Sequence, residues 1–213
     1  MTAGCTTLPR RGPLQILPPG ESAAAPSWEQ VVAVHTRKVE VYEWAVRQVD
    51  LRATLVTPHL RTAFLAAQGR LHGRVADELK RDLIDLGVPP DEGASRPLAT
   101  RPGAEEEILL YVCFYVADQK NRDLAAGYSI WDTELVRGDI RVEPSTIESV
   151  KYSPALEALL PHADRFDEVY VLRFPLIDRE SGKALFGPGE PPLRLEVRSA
   201  LGAAVVEWTL QVP

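Results

Sequence analysis

The sequence predicts a mainly β protein, an antiparallel β-sandwich of about seven or eight strands with one long inserted α-helix. Short runs rich in β-branched and aromatic residues recur along the chain, and turn residues separate them. One stretch, at about 58–87, instead has the three- and four-residue apolar spacing of a helix. The chain has 213 residues, and the part that follows its proline-rich beginning is long enough for one domain with a substantial core.

The first strands and the helix follow in order. Residues 31–34, 39–44 and 46–56 are predicted as strands, because they are rich in valine and aromatic residues and because apolar and polar residues alternate over 50–55. Thr57 is a suitable N-cap, and Pro58 is tolerated at the first helical position. The predicted helix ends near Gly87, and turn residues without periodicity follow it.

The remainder of the chain is predicted to be β. Six strands are predicted, at 108–116, 128–136, 140–142, 169–174, 193–198 and 205–210. A loop-rich crossing segment at 152–167, with one helical turn at 154–160, separates the first three from the last three. The first of these is apolar on both faces, which is typical of a central strand. Turns are predicted at 137–139 and 199–203, the second joining a hairpin. The strand count and turn spacing resemble the immunoglobulin-like sandwich in topology, without the cysteine and tryptophan signature of antibody domains.

The N-terminus points to a lipid anchor. Ala3-Gly4-Cys5 resembles the lipobox of bacterial envelope lipoproteins, in which small residues precede a cysteine that receives a diacylglycerol. This resemblance implies lipidation at Cys5, and Thr6 rather than aspartate after it implies the outer membrane. Residues 1–27 then form the anchor remnant and a proline-rich flexible stalk, and residues 28–213 form a single domain. The alternative is a cytosolic protein with a disordered N-terminus and an accidental cysteine.

Composition excludes several other classes. The net charge is −6 and the pI about 5.3, so no basic surface indicates nucleic-acid binding. No apolar run approaches the length of a membrane-spanning helix. Cys113 lies within an apolar run and is interpreted as a buried small hydrophobic residue, so no disulfide is predicted.

No catalytic, metal or cofactor residue is predicted, and the protein is expected not to be an enzyme. The histidines do not pair at helical spacing, and the loop of ligand-type residues at 162–168 is interpreted as a solvated connection. Three aspartates flank the central strands without a fixed separation, so a glycosidase pair is not indicated. The residues considered are His35, His59, His72, His162, Asp164, Asp167, Glu168, Asp118, Asp123 and Asp132.

Two further motifs have ordinary structural interpretations. The tripeptide Arg137-Gly138-Asp139 matches an integrin-binding motif, but glycine and aspartate also favour a hairpin tip. Core packing is expected of the tryptophans, Trp28, Trp44, Trp131 and Trp208. Two exposed, coplanar tryptophans would instead indicate a glycan-binding face.

The sequence therefore favours a non-enzymatic, lipid-anchored bacterial envelope protein. Its sandwich domain would serve as a binding or scaffolding module for a protein partner in an envelope assembly. The alternative is a periplasmic glycan- or peptide-binding domain. An unrecognised enzyme would require a pocket that gathers His162 or His35 with carboxylates. The sequence does not assign an oligomeric state.

Overall fold

The computed structural model describes residues 27–57, 60, 63, 107–177, 182, 185 and 191–209. These residues form two antiparallel sheets, with strand orders β1-β2-β3-β7-β6 and β5-β4-β8-β9. The strands are β1 (Thr36–Glu43), β2 (Val46–Leu55), β3 (Glu107–Val116), β4 (Asp132–Arg137), β5 (Ile140–Val142), β6 (Thr146–Val150), β7 (Glu168–Pro175), β8 (Leu193–Ser199) and β9 (Gly202–Trp208). Two α-helices, α1 (Trp28–His35) and α2 (Pro154–Leu159), and a 3₁₀ turn at Gln119–Asn121 complete the described part.

The two sheets pack face to face over a single hydrophobic core. Alternate residues of β2, β3 and β7 from the first sheet meet alternate residues of β4, β8 and β9 from the second. The largest fully buried side chain is Trp208, and Phe114 packs edge-on against Trp131 with ring centroids 5.2 Å apart. The prediction of a mainly β protein with two packed antiparallel sheets is confirmed.

Strand β3 is buried on both faces, as its unbroken apolar sequence predicts. Its even-numbered residues, such as Leu110 and Phe114, enter the core between the sheets. Its odd-numbered residues, such as Tyr111 and Cys113, form a second cluster with α2 on the outer face of the first sheet. The predicted helical turn is therefore present, at Pro154–Leu159, and it covers the centre of the sheet.

The predicted strand at 31–34 is wrong, because these residues belong to α1. Ser27 caps the helix, and Gln30 returns the hydrogen bond in a capping box. This local signal outweighs the β propensity of the valines. Val31 and Val32 pack against Leu60, which a strand could not achieve with adjacent residues on one side.

Other boundaries differ in smaller ways. Strand β4 begins only at Asp132, since the residues before it form turns, and β6 was not predicted because its exposed and half-buried residues lack a strong apolar pattern. The turn at 137–139 and the β8–β9 hairpin are confirmed, and Gly138 has φ 59°. The predicted helix at 58–87 lies outside the described residues except for Leu60 and Ala63, which are helical. The helices described in full are both short.

Candidate functional site

Exposed apolar side chains concentrate at one end of the sandwich. Of eleven large hydrophobic residues that are exposed in the described part of the chain, eight lie in four neighbouring connections or in the strand ends beside them, and we call this surface the aromatic end. Its members are Tyr42, Trp44, Val46, Tyr128, Ile130, Tyr152, Phe166 and Leu201. Trp44 is 94% exposed, Tyr128 84% and Phe166 73%. Apolar surface gathered in this way is typical of an interaction site.

Strand register brings the four connections together. Val49 pairs with Val116, which places the β1–β2 turn beside the start of the β3–β4 loop. Glu168 of β7 pairs with the end of β3, so the β6–β7 connection lies at the same end. The β8–β9 turn of the second sheet lies at the same end. Its Gly202 is next to Val41 of β1, since a Cβ atom built on Gly202 would lie 3.8 Å from Val41 Cγ1.

The β1–β2 turn holds its tryptophan in a costly backbone conformation. Trp44 has φ 51° and Ala45 has φ 69°, and no other non-glycine residue in the described part has a positive φ. Positive φ at both central positions of a two-residue loop is typical of a type I′ turn, which prefers asparagine and glycine. Each L-residue in this region costs about 1–2 kcal/mol. The turn therefore holds an exposed tryptophan in a strained backbone conformation, although asparagine or glycine at this position would make the fold more stable.

The other three tryptophans are partly or fully buried, as core packing predicts. Trp208 donates its indole N–H to the His35 carbonyl (2.9 Å), Trp131 to the Asn121 carbonyl (2.5 Å) and Trp28 to the Ala158 carbonyl (2.7 Å). Trp44 alone departs from the prediction. Among these four residues there is consequently no exposed pair on which a sugar could stack.

A network of charged residues crosses the outer face of the first sheet. Asp50 is only 3% exposed and accepts a 2.9 Å hydrogen bond from Arg47. Arg52 forms a bidentate pair with Asp167 (2.6 and 2.8 Å) and also donates to the His162 carbonyl. The network holds the connection before β7 against the sheet. The ligand-type residues at 162–168 therefore mainly make contacts within the fold.

Burial shifts the pKa of two groups near this network. Burial, and then the positive charge of Arg52, lower the pKa of His162 to about 4. Burial raises the pKa of the Cys113 thiol to about 12, with a further contribution from Asp167. Cys113 is therefore an unreactive thiol within the apolar cluster between α2 and the outer face of the first sheet, as its apolar surroundings predict.

The remaining candidate residues have identifiable structural roles or line an open cleft. Asp118 caps the 3₁₀ turn through the Lys120 N–H (3.1 Å), and Asp123 accepts from the Ala125 N–H (2.8 Å). Arg137 donates to the Leu185 carbonyl (3.0 Å), so the guanidinium of the Arg137-Gly138-Asp139 tripeptide is engaged within the fold. Asp132 lines a cleft of about 740 Å³ between the sheets. Neither Asp118 nor Asp123 is among the residues that line this cleft.

Buried His35 is part of the core rather than of a ligand site. Its Nδ1 lies 2.9 Å from the Val31 carbonyl and its Nε2 lies 2.8 Å from Thr57 Oγ1. Thr57 also accepts from the Leu60 N–H (3.1 Å), which confirms its predicted capping role. Cys5, His59 and His72 lie outside the described residues.

No group of three or more histidine, cysteine, aspartate or glutamate residues in the described ranges could hold a metal ion. Within those ranges, no helix has the length and apolar character needed to cross a bilayer. Comparison with known proteins gives no match to a family model, to a curated protein or to a solved structure.

The first prediction concerns the strained turn. Replacing Ala45 by glycine should raise the free energy of unfolding by about 0.5–1 kcal/mol, because relief of the left-handed strain exceeds the entropy cost of glycine. The matched control, Ala203→Gly in strand β9, should lower it by about 0.5–1 kcal/mol. Urea denaturation measures both. Equal destabilisation by the two variants would contradict a strained turn.

The second prediction concerns His162. Its pKa is depressed in the folded state, so between about pH 6.5 and pH 4 the unfolded chain binds a proton that the folded protein does not. Stability should therefore fall as the pH falls through this window, by at most about 2 kcal/mol between pH 7 and pH 5. His162→Gln should remove this part of the pH dependence, measured by urea denaturation at both pH values. An identical pH dependence in the two proteins would show that His162 titrates normally.

Proposed function

We propose that this chain is a non-enzymatic, lipid-anchored bacterial envelope protein whose sandwich binds a protein partner through the aromatic end. The observation that carries the proposal is Trp44, which is 94% exposed at the tip of a hairpin with left-handed backbone. Strained residues that persist in a fold are concentrated at binding and catalytic sites. Aromatic residues are also the side chains that most often dominate the energy of protein interfaces.

The strand order supports a finer description of the fold. In our proposal the topology is immunoglobulin-like, with β2-β3-β7-β6 corresponding to strands A-B-E-D and β5-β4-β8-β9 to C′-C-F-G. Strand β1 is then an additional edge strand before strand A. The β3–β4 and β8–β9 connections correspond to the B–C and F–G loops, which belong to the antigen-binding end of antibody variable domains. This correspondence is an analogy of fold and supports the binding role only as such.

The position of the N-terminus supports an orientation relative to the membrane. The chain enters β1 at Thr36, which lies at the opposite end of the sandwich from Trp44. We propose that Cys5 carries the lipid and that Thr6 directs the protein to the outer membrane, facing the periplasm. A stalk that leads through α1 to that opposite end, extending at about 3.1 Å per residue, would let the aromatic end point away from the anchoring membrane. A protein partner in the periplasm is then the natural occupant of that surface.

The third prediction tests the anchor. Expression from the full-length gene should give an N-terminal peptide in which Cys5 carries the lipid and residues 1–4 are absent, as mass spectrometry would reveal. Cys5→Ala should move the protein from the detergent-extracted membrane fraction to the aqueous fraction. Cys113→Ala is the matched control and should stay with the membranes. An unmodified N-terminal peptide that retains Thr2 would rule out the anchor.

The fourth prediction tests the aromatic end. Trp44→Asn removes the indole but keeps a residue that tolerates left-handed backbone, so folding should be preserved or improved. Cross-linking in cells followed by affinity purification should recover a partner with the original protein and lose it with Trp44→Asn. Val205→Asn, on the outer face of the second sheet and 39% exposed before substitution, should retain it. An unchanged partner in Trp44→Asn would reject the aromatic end as the binding surface.

A further inference from the structure

A second surface opens between the two sheets, beside the β3–β4 loop that carries Tyr128 and Ile130 of the aromatic end. It is a cleft of about 740 Å³, lined by the start of β4, by residues 143–147, and by residues 124–127, Ser129 and Trp131 of the β3–β4 loop. Strand β5 pairs only with Leu135, Val136 and Arg137 of β4. The preceding three residues of β4 therefore have no partner strand on that side within the described part of the chain. The cleft is the gap that this short pairing leaves.

Thr133 at the start of β4 has an unmet hydrogen-bonding requirement. The residue is 6% exposed and lines the cleft, yet its hydroxyl has no hydrogen-bond partner in the structure. A buried polar group without a partner is uncommon in folded proteins and destabilises them. A polar ligand in the cleft would supply the missing partner.

Unpaired strand edges border the cleft in both sheets. In an antiparallel pair, successive residues direct their backbone N–H and C=O groups to opposite sides. The residues Asp132–Glu134 pair with β8 on one side, so at least one of them presents unpaired backbone groups towards the cleft. Strand β6 is the outer strand of the first sheet. Such edges bind extended peptides by adding a strand.

The charges at the cleft favour a basic ligand. Asp132 and Glu143 line it, and neither has an ion-pair partner among the described residues. Glu134 is already paired with Arg141 at 2.7 Å, and Arg198 is paired with Glu196. Within the described part of the chain, Asp132 and Glu143 thus form no ion pair, and Arg198, which faces Asp132 across the β4–β8 pair, is the one cationic residue in the lining of the cleft.

We propose that this cleft binds an extended, basic peptide segment of a partner protein, which pairs with the free edge of β4 and hydrogen-bonds to Thr133. A glycan is the less favoured ligand, because the tryptophan that lines the cleft, Trp131, is only 5% exposed and cannot offer its ring for stacking. This site goes beyond the binding role of the aromatic end and does not depend on it.

The test uses the full chain labelled with ¹⁵N and a capped hexapeptide of alternating threonine and lysine. Titration should shift the amide resonances of 132–134 and 143–147. The same peptide with glutamate in place of lysine should bind at least about tenfold more weakly, because attraction becomes repulsion. A peptide methylated on alternate backbone nitrogens should also lose binding, since strand addition requires those N–H groups.

Two variants distinguish loss of peptide binding in the cleft from loss of folding and from loss of binding at the aromatic end. Thr133→Val should weaken the lysine peptide roughly three- to tenfold, while the urea midpoint stays equal or rises because the orphan hydroxyl is gone. Trp44→Asn should leave peptide binding unchanged, so failure of the aromatic-end proposal would not affect this result. The proposal is overturned if the lysine peptide does not bind at millimolar concentration, if the glutamate peptide binds equally well, or if only a peptidoglycan fragment shifts these resonances.

Discussion

Burial of β3 on both faces is the constraint on which the rest of the fold depends. From Ile108 onward the strand carries apolar and aromatic residues at both odd and even positions, so it needs a cover on each side. The second sheet covers one face and α2 covers the other. The crossing segment must therefore lie on the outer face of the first sheet, and the Arg52–Asp167 pair fixes its end there. The second sheet and α2 cover the faces of β3, and the connections at the ends of the strands lie outside these two covers.

The strongly patterned strands could be predicted from the sequence, and the weakly patterned elements could not. Strands β2, β3, β7, β8 and β9 follow from alternating or continuous apolar residues, because burial determines those positions. Helix α1 was mistaken for a strand since its valines have β propensity, and Ser27 with Gln30 was the overlooked helix signal. Strand β6 has no fully buried residue, so the hydrophobic pattern could not reveal it.

Neither candidate surface could be read from residue type alone. Trp44 and Trp208 have similar neighbours in sequence, but one lies in a two-residue turn and the other faces the core, a distinction that depends on register. The two residues between Glu43 and Val46 were a possible signal, although tryptophan and alanine are unusual in such turns. The cleft depends on where β5 stops pairing, which no local pattern specifies. Thr133 itself has the sequence context of an ordinary strand residue.

Charged side chains on the strands oppose non-specific pairing with other chains, although aromatic residues are exposed elsewhere on the surface. On the strands, nearly buried carboxylates are matched by arginines, as Asp50 is by Arg47 and Glu196 is by Arg141 at 2.9 Å in each case. Charged side chains along strands oppose edge-to-edge pairing with other chains. Exposed apolar side chains are instead confined mainly to connections, which cannot extend a sheet. In our proposal, a partner would have to match a small set of rings in shape, and specificity would come from that requirement rather than from the area of apolar surface.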